Sequence, residues 1–389
     1  MIYPSSTTDS SDKIAQNPSK DRSICILVYS LRGYGSERVA LNLAQGFLKK
    51  GLKVDFVIIE FGGEFIKMVP QEAKTIELGV ADLKSSSTWK KIRALVKYLR
   101  QERPTALVSI YDTINLATWA KILAGVSTKI FVDVQNTLSN EFTGNRGKLK
   151  SCLVRLSYPW SDGVIASSQG VAKDLTVFAG ISSADISVIY NPVVTPEIFE
   201  KAEEPIHHSW FALGELPVIL GVGRLSEQKD FSALIKAFAI VRKHRASRLV
   251  ILGEGLLRTQ LEDLVKELGL QQDVALLGYT ENPYAYMAKA SVFVLSSKFE
   301  GFGNVIVEAM AFGTPIVATD CPSGPSEILD DGKYGRLVAV GNINTLAEAI
   351  VETLDKSDRS PEYNTLKSRA TEFSVDLIAD RYLKVLGFA

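Results

Sequence analysis

The 389-residue chain has only three cysteines, three histidines and four methionines, and its charges cancel, with 44 Lys/Arg against 44 Asp/Glu. Cys25, Cys152 and Cys321 are too widely spaced for a disulfide framework or a zinc site and suit a reducing compartment. His207, His208 and His244 show no ligand spacing, which argues against a metallohydrolase. Without a basic excess, nucleic acid is not an expected partner. No apolar run reaches the roughly 18 residues of a membrane-spanning helix. Residues 1–21, rich in Ser, Thr, Asp and Pro, lack the apolar centre of a secretory signal. They are expected to be a disordered tail, and the protein to be cytoplasmic. Also missing are a Gly-Lys-Ser/Thr phosphate loop, a serine nucleophile elbow and an Asp-x-Asp pair for a divalent metal. No bound metal and no cofactor are expected.

From Ser23 onward, short apolar runs alternate with helical patterns. Strands are expected at 23–30, 54–61, 105–110, 128–134 and 162–168, with helices at 36–51, 88–102 and 115–124 between them. Continuously apolar strands separated by helices indicate a parallel sheet covered on both faces. The pattern restarts after Asn191-Pro192, with strands at 217–223, 248–253, 273–278, 291–297 and 314–320. The expected class is therefore α/β, with two doubly wound parallel-sheet domains facing a central cleft. Their expected bounds are 22–195 and 196–372, and a helix in 373–389 packs back toward the first. Ligands of such sheets bind beyond the carboxyl ends of the strands.

Three strand ends carry candidate chemistry. In GVGRLSEQKD (221–230), Gly223 lets a ligand approach the backbone, and Arg224 and Lys229 could flank a diphosphate. A strand-to-helix turn with surface charges would read the same way. In LRGYGSER (31–38), Gly35 and Ser36 open a helix and offer backbone N–H groups to phosphate. The third glycine of a dinucleotide fingerprint is absent, and Asp55 lies inside the second strand instead of at its end, which counts against an NAD enzyme. In SKFEGFGNVIVEAMA (297–311), Glu300 follows a strand, while Phe302, Gly303 and Asn304 lead into a helix holding Glu308 among apolar neighbours. A carboxylate there requires a partner.

The region 297–329 resembles the E-x7-E region of the retaining family-4 glycosyltransferases of GT-B fold. The stretches 33–44, 163–175, 188–193, 221–231 and 249–255 resemble that family in the same order. The resemblance runs from about residue 23 to the end. It implies that Arg224 and Lys229 bind the donor diphosphate and stabilise its departure, with Gly35 and Ser36 closing on it. It implies that Glu300 contacts donor-sugar hydroxyls, assisted by backbone groups of Phe302, Gly303 and Asn304, and that Glu308 holds the ribose. Tyr279, after Gly278, falls where the nucleobase is held. Transfer would retain configuration by a front-face reaction in which the leaving phosphate helps deprotonate the acceptor. On the acceptor side, Gln135 stands before Asn136 where many relatives have His. Gln cannot be a general base, but it can hydrogen-bond a sugar.

The resemblance implies a nucleotide-sugar donor, with UDP favoured by the DCPSGPSEIL segment (320–329), and a glycan or lipid-linked glycan acceptor. GDP-mannose as donor, or a non-catalytic nucleotide-sugar-binding role, are the alternatives. Two segments, 89–103 and 146–160, mix Lys/Arg with apolar residues at helical spacing. Either could cover the sheet as an ordinary amphipathic helix or touch anionic lipid at the inner face of the plasma membrane.

Overall fold

The computed structural model describes residues 22–78, 88–110, 114–141, 144–356 and 362–388, without the side chains at 114–115, 141, 144–150 and 362–363. The tail expected at 1–21 lies outside them.

Two wholly parallel sheets form the framework. The first contains β1 (Ser23–Val28), β2 (Lys53–Ile58), β3 (Lys74–Glu77), β4 (Ala106–Ile110), β5 (Lys129–Val134), β6 (Gly163–Ala166) and β7 (Ile186–Val188), ordered β3-β2-β1-β4-β5-β6-β7. The second contains β8 (Val218–Val222), β9 (Arg248–Leu252), β10 (Val274–Gly278), β11 (Val292–Leu295), β12 (Ile316–Thr319) and β13 (Arg336–Val338), ordered β10-β9-β8-β11-β12-β13. The apolar runs read from the sequence are the inner strands, buried on both faces, together with the partly buried edge strand β10. β3, β7 and β13 were not among the expected strands. Each is a sheet edge of three or four residues with partly exposed side chains, so no apolar run marks it.

Helix Gly35–Lys49 buries Val39, Ala40, Leu43, Ala44 and Phe47 on one face of the first sheet. Helices Thr88–Glu102 and Ile114–Ala124 cover the opposite face. In the second domain, helix Asn304–Ala311 packs under one face and helix Phe231–His244 under the other.

The chain crosses between domains twice, and the two crossings are bonded together. Val193 and Val194 donate backbone hydrogen bonds to Phe373, and Val375 donates one to Val194. Helix Val375–Leu386 then returns to the first sheet and places Ile378, Ala379, Tyr382 and Leu386 in its core. Lys49–Asp376 and Lys50–Asp380 ion pairs, each 2.5 Å, fasten its outer side. These exposed pairs contribute little beside the apolar burial. No helix among the described residues is long and apolar enough to cross a membrane.

Candidate active site

The carboxyl ends of the strands in both sheets converge on the interdomain cleft. β8 runs out at Val222, and the following turn is closed by Asp230, which caps helix Phe231–His244 by accepting a hydrogen bond from Ala233 N. In that turn the Lys229 stem lies along Gly223, and its Nζ reaches Glu300 Oε1 at 2.5 Å. Ser297 Oγ donates to the same oxygen at 2.6 Å. The turn and the loop after β11 are further joined by Ser296 Oγ to the Lys229 carbonyl, Lys298 N to the Gln228 carbonyl, and Gln228 Nε2 to the Phe299 carbonyl. With side chains only 18% and 8% exposed, Lys229 and Glu300 form a nearly buried ion pair. The two motifs, 71 residues apart in sequence, are one structural unit.

Helix Asn304–Ala311 starts at Gly303, whose φ of +100° is left-handed and strains any larger residue. No side chain caps this start, so its first amides carry the helix's partial positive charge uncompensated. Glu308 lies in the second turn, 6% exposed. Against expectation, no hydrogen bond or ion pair of the described residues reaches its carboxylate. Burial raises its pKa, and Arg38 and then Lys229 pull it back down.

The first domain supplies the opposite wall. Glu37 accepts from Gly33 N at 2.7 Å, Tyr34 N at 2.9 Å and Ser30 Oγ at 2.9 Å, which fixes the glycine loop and leaves Gly35 and Ser36 at the helix start. The Arg224 guanidinium lies 4.5 Å from the Tyr34 ring centre, across the cleft. A β-carbon on Gly35 would stand 3.7 Å from Asn304 Nδ2, and Asn304 Oδ1 accepts from Asn191 Nδ2 at 2.9 Å. Gly301 has no room for a side chain, because a β-carbon would come within 1.9 Å of the Gln135 carbonyl oxygen. Ser168 Oγ donates to the Gly301 carbonyl at 2.8 Å, and Glu327 accepts from the Gln169 and Gly170 amides at 2.8 and 3.0 Å.

Gly35, Arg224, Lys229, Glu300, Asn304 and Glu308 therefore face one interdomain space. Two expected residues stand differently. The Phe302 ring is core, stacked 5.3 Å from Tyr190, so only its backbone can serve a ligand. Gln135 and Asn136 follow β5, but the Gln135 amide is engaged, donating to Asp133 at 2.8 Å. Tyr279, 47% exposed, stands at the end of β10, where burial and then Glu64 of the first domain raise its pKa. A cavity of about 740 Å³ lies there between Arg38, Glu64, Phe65, Glu197, Tyr279 and Glu281.

Arg38 had no distinguishing mark in the sequence beyond being a helix charge. In the fold its Nη1 donates to Tyr284 OH at 2.6 Å, its guanidinium lies 4.8 Å from the Phe65 ring centre, and it is the foremost cation acting on Glu308. Among the described residues no group of His, Cys, Asp and Glu could hold a metal ion.

Residues 34–196 match a family model described as Glycosyltransferase Family 4, and residues 203–373 match one described as Glycosyl transferases group 1. One curated relative is the N-acetylgalactosamine-N,N'-diacetylbacillosaminyl-diphospho-undecaprenol 4-alpha-N-acetylgalactosaminyltransferase of Campylobacter jejuni, 38% identical over 252 residues. That alignment covers 64% of this chain and 64% of the relative, just under two thirds of its length. A second, from the same organism, is the GalNAc-alpha-(1->4)-GalNAc-alpha-(1->3)-diNAcBac-PP-undecaprenol alpha-1,4-N-acetyl-D-galactosaminyltransferase, 28% identical over 94% of this chain and 98% of that one. Among solved structures, Anabaena HepE in complex with UDP and glucose aligns with TM-score 0.76 at 20% identity, over 95% of this chain and 100% of that chain. Sucrose-phosphate synthase from Thermosynechococcus elongatus gives TM-score 0.79 at 18% identity, over 94% and 98%. At these identities the two structures speak for a shared GT-B fold.

Proposed function

Because the chain belongs to the group 1, family 4 glycosyltransferases, we propose that it moves a hexosyl or N-acetylhexosaminyl group from a nucleotide sugar, with UDP favoured, to a lipid-linked glycan. Transfer retains anomeric configuration and needs no resident metal. The observation that carries this reading is the Lys229–Glu300 pair beside Arg224, facing the loop in which Glu37 fixes the start of helix Gly35–Lys49.

A nucleoside diphosphate carries charge that must be neutralised both when bound and as it leaves. Arg224 and Lys229, with two helix N-termini opposite each other, supply that field without a cation. Lys229 passes from Glu300 to a phosphate oxygen when the donor enters, which frees the Glu300 carboxylate to accept from sugar hydroxyls. Glu308, whose carboxylate has no hydrogen bond among the described residues, accepts from the ribose hydroxyls, and the cavity at Tyr279 receives the base. The leaving phosphate, on the same face as the acceptor, takes the acceptor's proton. Support for the acceptor class comes from the Campylobacter relatives, both named for undecaprenol-linked glycans.

Such an acceptor requires the protein to work at a membrane surface. Trp119, Ile122, Leu123, Leu153, Leu156 and Trp160 are each more than 40% exposed, on segments that pack together on the outer face of the first domain. The helical segments 88–103, 114–124 and 144–160 carry eleven Lys/Arg and a single acidic residue in a chain of zero net charge. Peripheral contact with anionic lipid at the inner membrane face follows from that pairing of apolar and basic groups. Flotation with anionic liposomes should carry the protein upward and neutral liposomes should not; equal behaviour would remove this part of the reading.

A thermal-shift screen across UDP-, GDP-, ADP- and dTDP-sugars tests the donor. A UDP-sugar at 100 times its Kd should add about 2.7 kcal/mol of stability. A shift only with GDP-mannose would change the nucleotide. Binding without transfer would indicate a non-catalytic sugar-nucleotide binder, and no shift at all would sink the reading.

A further inference from the structure

Phe131, Asp133 and Gln135 alternate along β5 and its continuation, so all three side chains face the helix Val375–Leu386 side of the sheet. Asp133 is fully buried, flanked in its sheet by Ile110 and Ile165. Its two oxygens have separate partners: Gln135 Nε2 donates to Oδ1 at 2.8 Å, and Tyr382 OH donates to Oδ2 at 3.0 Å. The Gln135 backbone carbonyl in turn abuts Gly301, next to Glu300. No hydrogen bond among the described residues reaches Gln135 Oε1.

A carboxylate only accepts hydrogen bonds, whereas a carboxamide has one accepting and one donating edge. Asp133 therefore dictates which edge of Gln135 turns inward. We propose that Asp133 and Tyr382 are positioning residues that hold the Gln135 amide with its NH2 inward and its carbonyl oxygen toward the cleft. This makes the position a reader of hydroxyl or amide N–H donors on the bound sugar. The inference rests on the transfer reading above and deepens it: a ligand offering only an acceptor at this point leaves the carbonyl unpaired and binds poorly.

Among the described residues Gln135 and Tyr382 hydrogen-bond Asp133, and burial, against these bonds, pushes its carboxyl up to about 6. Below that pH a neutral Asp133 can donate, and the inward preference of the amide is lost. In the wild type, kcat/KM for the donor should accordingly fall as pH drops through about 6.

The test measures donor kcat/KM against pH, together with UDP-sugar Kd by calorimetry and the melting temperature. Asp133→Asn should lower kcat/KM about tenfold, the weight of one hydrogen bond, and remove the acid limb. Tyr382→Phe, which deprives the carboxylate of a donor, should move that limb to higher pH. In the exchange variant Asp133→Asn with Gln135→Glu, the new amide donates to the new carboxylate, whose other oxygen is offered to the cleft. It should recover about tenfold over Asp133→Asn alone. Wild-type kcat/KM with an unchanged acid limb in Asp133→Asn overturns the proposal. So does an exchange variant that melts like wild type yet recovers nothing. If the wild type itself transfers from no nucleotide sugar, the transfer reading fails. The positioning claim is then judged on Kd, where the same loss and recovery are required.

Discussion

Replacing Lys229 with Met separates what the Lys229–Glu300 pair does for stability from what it does for transfer. The variant leaves Glu300 8% exposed, with only Ser297 Oγ donating to it. Breaking a buried pair by removing one partner costs about 3–5 kcal/mol, and the 18% exposure of Lys229 places this case at about 3 kcal/mol. For a domain of this size each kcal/mol moves Tm by about 2–4 °C, so Lys229→Met should melt about 6–12 °C lower. Adding Glu300→Gln removes the stranded charge while its amide still accepts from Ser297. The double variant should return to within about 1 kcal/mol of wild type, since removing both charges of a buried pair is often near neutral. Both variants should transfer sugar at least about 10²–10³-fold more slowly, the cost of losing one preorganised charge at the leaving group. Calorimetry and a nucleotide-release assay read the two effects independently. A double variant melting at or below the single would refute the coupling, and wild-type turnover in the double would refute the site.

Other perturbations probe the same cleft. Gly301→Ala forces a methyl group toward the Gln135 carbonyl, now 1.9 Å from the site of its β-carbon. The resulting shift of about 1 Å should lower kcat about 100-fold at a stability cost of about 1–3 kcal/mol; unchanged kinetics would mean that the domain contact is not required. Arg38→Met removes the foremost cation acting on Glu308, whose pKa burial already raises. With a folded pKa above the unfolded one, the penalty is absent at low pH and grows as pH rises through the folded value. The Tm deficit of the variant should therefore be larger at pH 8 than at pH 5, and a pH-independent deficit would assign Arg38 to packing with Tyr284 alone. EDTA should leave the transfer rate unchanged, and inhibition reversed by a divalent cation would show that the diphosphate field needs one.

Much of the fold was legible because buried parallel strands must be apolar throughout and their covering helices must be amphipathic. β1, β4, β5, β8 and β9 therefore stood out, and the edges β3, β7 and β13 did not, since an edge strand needs neither length nor burial. The candidate site was legible where a residue type is unusual for its local setting. A carboxylate at a strand end, such as Glu300, or inside an apolar helix, such as Glu308, invites a reason. Arg38 gave no such sign, because an arginine on an amphipathic helix is ordinary until the facing domain is known. Glu327, a helix carboxylate, acquires a role only through the two first-domain amides it accepts from.

By itself the sequence determined two doubly wound sheets, the strand ends that carry Arg224, Lys229 and Glu300, the apolar helix that carries Glu308, and the lack of any motif for a metal. These follow from periodicity and residue type, which are local. Only the tertiary structure decided that Lys229 and Glu300 form one nearly buried pair, that no hydrogen bond or ion pair among the described residues reaches Glu308, and that Gln135 is turned by Asp133 and Tyr382. Tyr382 is 249 residues from Asp133 in the chain. Hydrogen bonds and charge fields act over a few ångströms in space, whatever the separation along the backbone.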